Sequence, residues 1–353
     1  MGREVPSVGR PPAGFRRDAR AKRAKATANQ VIPGLLSAHP RARRGIEAVE
    51  LIIDPPPVVH LGTDNSSETD LDSTTLGMGP RLTLQVADTL TVARALVLKG
   101  EENTTLGSSS RTGKNTPHRV AILNMASPLC PSGGFFNGAQ GQEESLCVRT
   151  TLLPSLRDEY YRLPEIGAIY TPDVLIFRDE AGEDGVLPKS DRWLVDCISA
   201  AMLRHPDTER DEVTGRGRYT QGKDRDMILS KMRMVMRTCQ LKGVRRVVLG
   251  AWGCGAYGNP LGEIAAAWRK VLLPRNKSRQ GRQKNGKSKC HLETWNGIEE
   301  VVFAISDPGM AELFAAAFGE GLVWDRELDA QQESEGDEEG EHNEASSEEE
   351  SIE

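Results

Sequence analysis

Two adjacent carboxylates, Glu143 and Glu144, follow a glycine turn, and a second glycine-rich turn, GAWGCGAYGNP at 250–260, comes 120 residues later. Neighbouring carboxyl groups suit acid–base work. Each one's charge helps keep the other protonated near neutral pH, ready to donate to a leaving oxygen, and glycosidic cleavage uses such a pair. The plainer role for two acids at a helix start is to oppose the helix dipole. Glycine turns that lead into helices expose free backbone N–H groups, which suit phosphate. Two such turns would seat the two phosphates of a diphosphate, one each. The implied ligand is a nucleoside diphosphate with something attached, and Tyr257 in the second turn offers it a flat face for a sugar or base.

The elements that must position these groups are legible in the hydrophobic pattern. Val120 to Met125 is an apolar run of strand length, broken by Pro128, Pro131, Ser132, Gly133 and Gly134. Ala139 to Leu156 follows with Leu146, Thr150 and Leu153 at helical spacing, which places both acids in a first helical turn. The second unit repeats the order: strand Val244–Leu249, the glycine turn, then a helix over 261–273. Further strands are predicted at 81–86, at 168–177 in two pieces around Thr171-Pro172, at 193–199, and within 297–306. Helices are predicted at 17–37, 87–99, 224–241 and 310–318. In the third of these Met227, Ile228, Met232, Val235, Met236 and Cys239 form an apolar core side rather than a cofactor box. Strands alternating with helices define an α/β class.

The 353 residues have room for one large domain or two smaller ones. No apolar run approaches the roughly 20 residues of a membrane helix, and the arginine-rich start lacks the apolar core of a secretory signal, so an intracellular, soluble protein is expected. That start, RRDARAKRAK at 16–25, reads as a solvated helix face, with a nuclear-import signal or a mitochondrial presequence as alternatives. Six cysteines (Cys130, Cys147, Cys197, Cys239, Cys254, Cys290) form no CxxC and no metal-type pairing with histidine, as expected of reduced thiols; no metal site is predicted. The net charge of -6 is uneven. Residues 325–353 carry 14 acids against Arg326 alone, leaving 44 Lys and Arg against 37 acids in the rest. The acidic tail is predicted to be disordered, residues 63–80 and 101–118 to be loops, and residues 275–290 to be a basic loop.

Two motif matches need their context. Gly281 to Ser288 fits the P-loop pattern, but no apolar strand precedes it and no apolar helix follows, so the cradle has no scaffold. Gly253, Gly255 and Gly258 fit GxGxxG between a strand and a helix, which keeps an NAD-dependent oxidoreductase open as an alternative. Against it, no acid stands near Leu273-Pro274 to hold a ribose.

The stretch Ser132-Gly133-Gly134-FFNGAQG-Gln142-Glu143-Glu144 resembles the signature of the bacterial-type poly(ADP-ribose) glycohydrolases, a branch of the macrodomain fold marked by a triple glycine, a spacer and Gln-Glu-Glu. GAWGCGAYGNP resembles the second diphosphate loop of macrodomains, and YTPDVLIFRD at 170–179 and VVFAISD at 301–307 resemble other family blocks. The resemblance runs from about Arg16 to Phe318. It implies a three-layer α/β/α sandwich with a mixed central sheet and an added N-terminal helical unit. It divides the chain into a flexible 1–15, a catalytic domain at 16–324 (core about 81–320, helical accessory about 16–55) and the tail. The activity implied is hydrolysis of ribose–ribose bonds in poly(ADP-ribose) to release ADP-ribose, without metal or cofactor. A macrodomain reader of ADP-ribose and a mono-ADP-ribosyl hydrolase are the alternatives within the fold. By position, Glu144 becomes the acid that protonates the leaving ribose oxygen, and Glu143 holds the neighbouring ribose. Gly133, Gly134 and Phe135 form one diphosphate loop and Gly253, Cys254, Gly255 and Ala256 the other. Tyr257 packs on the terminal ribose, with Ser127, Asn137 and Gln142 orienting the sugar. The partners implied are the polymer or ADP-ribosylated proteins, with no membrane and no sequence-specific nucleic acid; a monomer, nuclear or cytoplasmic, is expected, with a part in reversing ADP-ribosylation in a DNA damage response. Ser132 departs from the family by replacing the first glycine, at a cost in backbone freedom.

Overall fold

The computed structural model describes residues 12–57, 79–106, 119–179, 185–212, 215–273 and 293–325. Of the flexible start expected at 1–15, residues 1–11 lie outside the described residues and Ala13 to Phe15 are already helical; all of the tail expected at 325–353 but Asp325, most of the loops at 63–80 and 101–118, and the basic loop with its P-loop match also lie outside them. In chain order the elements are α1 (Ala13–Ala26), α2 (Ile32–Ala38), α3 (Pro40–Glu47), β1 (Glu50–Ile53), β2 (Arg81–Gln85), α4 (Thr89–Leu106), β3 (Arg119–Met125), α5 (Gln142–Arg149), β4 (Gly167–Ile176) and β5 (Trp193–Ala200). They continue with β6 (Thr208–Arg210), β7 (Gly217–Tyr219), α6 (Gly222–Leu241), β8 (Val244–Leu249), α7 (Leu261–Leu272), β9 (Glu300–Ala304), α8 (Pro308–Phe318) and β10 (Val323–Trp324).

The chain forms two compact units. The first gathers Met1–Leu51, Asn124–Pro164 and Ile169–Ala201. The helix predicted from about Arg17 to Ser37 is there as α1 and α2, joined by a π-helical turn, Thr27–Val31. Ile32, Leu35 and Ala42 pack with Leu175 and Phe177 of the strand region to form a core. Those five side chains recur at the spacing that puts them on one face of each element. β4 and β5 pair antiparallel, with a register shift between Thr171 and Val174. Pro172 sits in that shift, where a residue without an N–H interrupts no ladder bond, so the two apolar pieces predicted around it are one bulged strand. The helix predicted over 139–156 is shorter: α5 stops at Arg149. Thr150 is extended and bridges Ile176, and the Thr151 N–H donates to the Leu175 carbonyl at 3.0 Å. Two consecutive β-branched residues resist the helix, and pairing with β4 completes the exit.

The second unit gathers Ile52–Leu123, Glu165–Ala168 and Met202–Glu353. Within it β3, β8, β9, β2 and β10 run side by side in that order, all parallel. Parallel strands covered on both faces read as continuous apolar runs, and β9 is buried at all five positions. Trp252, Trp268, Phe303, Phe314 and Phe318 stack and tilt against one another in its core. Helix α4 continues to Leu106, so the first six residues of the loop predicted at 101–118 are helical. The hairpin β6–β7, the helix α3 and the short strands β1 and β10 were not foreseen; each is eight residues or fewer. No helix among the described residues is long and apolar enough to cross a membrane.

Candidate active site

The site begins where β3 ends. Three successive residues at the start of α5 each take a backbone N–H from the segment that precedes them. Met125 N–H donates to Gln142 Oε1 at 2.8 Å, Ser127 N–H to Glu143 Oε2 at 2.8 Å, and Gly134 N–H to Glu144 Oε1 at 2.9 Å. The Gln-Glu-Glu triplet therefore ties strand, turn and helix together before any ligand arrives. Carboxylates in a first helical turn also meet the positive end of the dipole, the plainer role expected of them. Ser127 Oγ accepts from Leu129 N–H at 3.3 Å and, more weakly, from Cys130 N–H, shaping the turn.

Both carboxyl groups converge over one glycine. A Cβ placed on Gly133 would lie 2.9 Å from Glu144 Oε1 and 3.0 Å from Glu143 Oε2, and the residue's φ is +54°. Glycine meets that backbone conformation without strain, and a side chain there would push the carboxyl groups aside. Ser132 adopts a φ of +57° as well, and its buried Oγ has no hydrogen-bond partner among the described residues. The family departure noted in the sequence thus carries a left-handed backbone and an unsatisfied hydroxyl. Ser132→Gly is expected to stabilise the protein by about 1–2 kcal/mol, read as a higher midpoint in urea with an unchanged slope.

The two acids differ in environment. Glu143 is 4% exposed, and burial pushes its carboxyl up to about 8; the Ser127 N–H opposes this and the Glu144 charge adds to it. The side chain of buried Asn124, like the Ser127 N–H, pulls the other way. Asn124 is held in turn, its Nδ2 donating to Ser199 Oγ at 3.0 Å. Between pH 4.5, the ordinary value, and about 8 the folded state holds a proton that the unfolded chain releases. Stability should therefore fall as pH rises through that window, by an amount on the order of a few kcal/mol in all. Glu143→Gln should flatten that fall, measured as urea midpoints at pH 5 and pH 9.

The three amides carried over to the first diphosphate loop have acceptors of their own. Gly133 N–H reaches the Cys130 carbonyl at 3.4 Å, Gly134 N–H holds Glu144, and Phe135 N–H donates to the Ser132 carbonyl at 3.1 Å. The Gly134 N–H that would meet an anion is thus the one that fixes Glu144. Phe135 is buried, and Asn137 contributes its carbonyl, which accepts from Arg17 Nε at 2.8 Å.

In the second unit, the turn after β8 is held by Asn259. Its Nδ2 donates to the Leu203 and Gly253 carbonyls at 2.7 and 3.0 Å, and its Oδ1 accepts from Tyr219 Oη at 2.8 Å. Gly253 has a φ of +79°, and a Cβ there would lie 2.6 Å from Asn259 Nδ2. Cys254 N–H donates to the Ala251 carbonyl, so it is spent; the amides of Gly255 and Ala256 donate to no acceptor among the described residues and are exposed. Burial pushes the Cys254 thiol up to about 12, which leaves it a poor nucleophile. Tyr257 accepts the His205 N–H through its carbonyl at 3.0 Å, with the two rings edge to face.

Asn124 and Tyr219 stand in none of the sequence motifs that point to the site, and Asn259, within GAWGCGAYGNP, is not among the residues expected to bind. A polar residue inside the apolar run of β3 was the available signal for the first. No group of three or more His, Cys, Asp or Glu among the described residues could hold a metal ion.

The glycine turn, the paired acids and the helix start fall within a segment that matches a known family. Residues 63–179 match the model of the microbial-type PARG catalytic domain. The matched segment runs from β2 through α4, β3, the turn and α5 to the end of β4, and so holds both acids. Among solved structures the chain is similar to the PARG, poly(ADP-ribose) glycohydrolase, of Thermomonospora curvata. That match has 24% identity and a TM-score of 0.57, covering 86% of this chain and all of that one. The same enzyme bound to the inhibitor ADP-HPD matches at 23% and 0.54, over 86% and 98% of the two chains. The PARG of Deinococcus radiodurans in complex with ADP-ribose matches at 22% and 0.51, over 79% and 96%. No curated protein matches the chain. The α/β, macrodomain-like fold expected from the sequence is the fold these PARG structures share.

Proposed function

We propose that the protein is a poly(ADP-ribose) glycohydrolase. One observation carries the reading: the carboxyl groups of Glu143 and Glu144 meet over Gly133 at a strand–turn–helix that matches the microbial-type PARG catalytic domain. In this reading Glu144 gives its proton to the ribose oxygen that leaves, the glycosidic C–O bond breaks through an oxocarbenium-like state, and water adds to the sugar while returning a proton to Glu144. Glu143 accepts or donates to the neighbouring ribose hydroxyls. The Gly133–Phe135 turn takes one phosphate, competing with Glu144 for the Gly134 N–H. By the same resemblance, the open amides of Gly255 and Ala256 are candidates for phosphate, and the ring of Tyr257 for a ribose. The substrates are the polymer or ADP-ribosylated proteins, and ADP-ribose is the product.

Ligand class can be tested before turnover. ADP-ribose near 100 times its dissociation constant is expected to stabilise the folded protein by about 2.7 kcal/mol, seen as a rise in Tm of several degrees, with NAD giving less at equal concentration. A larger shift with NAD would favour the dinucleotide oxidoreductase and count against the glycohydrolase.

A further inference from the structure

The arginine-rich start, which the reaction leaves without a role, folds as α1 and packs on the 3-10 turn Phe135–Asn137. Arg17 Nε donates to the Asn137 carbonyl and Arg20 Nε to the Gly138 carbonyl, each at 2.8 Å. Carbonyls at the end of a helical turn need donors from outside it, and a guanidinium supplies a charge-assisted one. The backbones also approach closely. Gly138 has a φ of +68°, and a Cβ there would lie 2.1 Å from the Arg17 carbonyl oxygen. The far end of the same helical segment is anchored as well. Buried Arg178 donates to Thr27 Oγ1 at 3.1 Å and to the Val148 carbonyl in α5. The N-terminal helices therefore hold the stretch bearing Gln142, Glu143 and Glu144 on both sides, at the turn before it and the helix end after it. Lys22 and Lys25 remain exposed on α1, but Arg17 and Arg20 are committed to the turn, unlike the wholly solvated face expected from sequence.

We infer that Arg17 and Arg20 are positioning residues for the reaction: they fix the Phe135–Gly138 turn, and the turn, through the Gly134 N–H, fixes Glu144. The inference rests on the glycohydrolase reading for its kinetic part and on contacts alone for its structural part. Misplacing a catalytic group by an ångström costs about 100-fold, so kcat on poly(ADP-ribose) is expected to fall about 10- to 100-fold in the Arg17→Ala/Arg20→Ala double variant. KM should change much less, and Tm by only a few degrees. Amide hydrogen exchange at residues 134–139 should quicken. Arg17→Lys/Arg20→Lys, which keeps a donor at each carbonyl, should recover most of kcat, and Gly138→Ala should quicken the same exchange with both arginines intact. Wild-type kcat with unchanged exchange in the double variant would overturn the inference, as would a kcat loss that the lysine pair fails to rescue. If the wild-type protein releases no ADP-ribose at all, the glycohydrolase reading is what fails. Exchange at 134–139 then still decides the clamp: quickened exchange upholds it and unchanged exchange ends it.

Discussion

Replacing Glu144 by Gln is expected to lower kcat on poly(ADP-ribose) by about 10²- to 10⁴-fold, the range a positioned general acid contributes. The amide keeps the size of the side chain and its oxygen still accepts the Gly134 N–H, so the turn and the fold should survive. Affinity for ADP-ribose should stay within a few fold of wild type, since the lost proton acts on the leaving oxygen and not on the diphosphate. A variant that loses binding and turnover together would instead give Glu144 a structural role. Initial rates and ADP-ribose titrations on the same preparation separate the two outcomes.

The second large effect is expected at Gly133. Alanine there meets two obstacles at once: a φ of +54°, which costs an L residue about 1–2 kcal/mol, and a Cβ within 3.0 Å of oxygens from the Glu143 and Glu144 carboxyl groups. The carboxylates are the ends of flexible side chains, so the chain accommodates the methyl group by moving them. That movement is the damage. A displaced pair should cost about 100-fold in kcat/KM, with Tm falling by several degrees as the backbone strain is absorbed. Gly255→Ala offers the contrast: its Cβ would enter open space, so the effect on stability should be small.

The contrast between these glycines marks what the sequence could and could not disclose. The second strand–turn–helix was legible nearly to the residue, because Val244–Leu249 is a continuous apolar run with a glycine turn behind it and α7 has a clear apolar face. Helix α5 was drawn too long because Thr150 and Leu153 fall at helical spacing. Spacing does not reveal that Thr150 and Thr151 pair with β4, a contact made by residues some 25 positions away. The acidic pair was visible as a pair, yet its two members are told apart by burial, which depends on Asn124, Ser127 and the chain packed around them. For the same reason the arginines of α1 read as a solvated run. Their acceptors are carbonyls 120 and 118 residues distant, and a carbonyl leaves no mark in a sequence. The Gln-Glu-Glu triplet lies between these cases. Its residue types pointed to chemistry, and the structure adds that each of the three also secures a backbone N–H of the preceding strand or turn.

The most direct test of the account is to incubate the wild-type protein with purified poly(ADP-ribose) near pH 7 and follow the products by chromatography. Free ADP-ribose should accumulate as the polymer shortens, and should not do so with Glu144→Gln at equal concentration. Polymer that is bound yet comes back with its length distribution unchanged would contradict the account and leave a binding protein of the same fold.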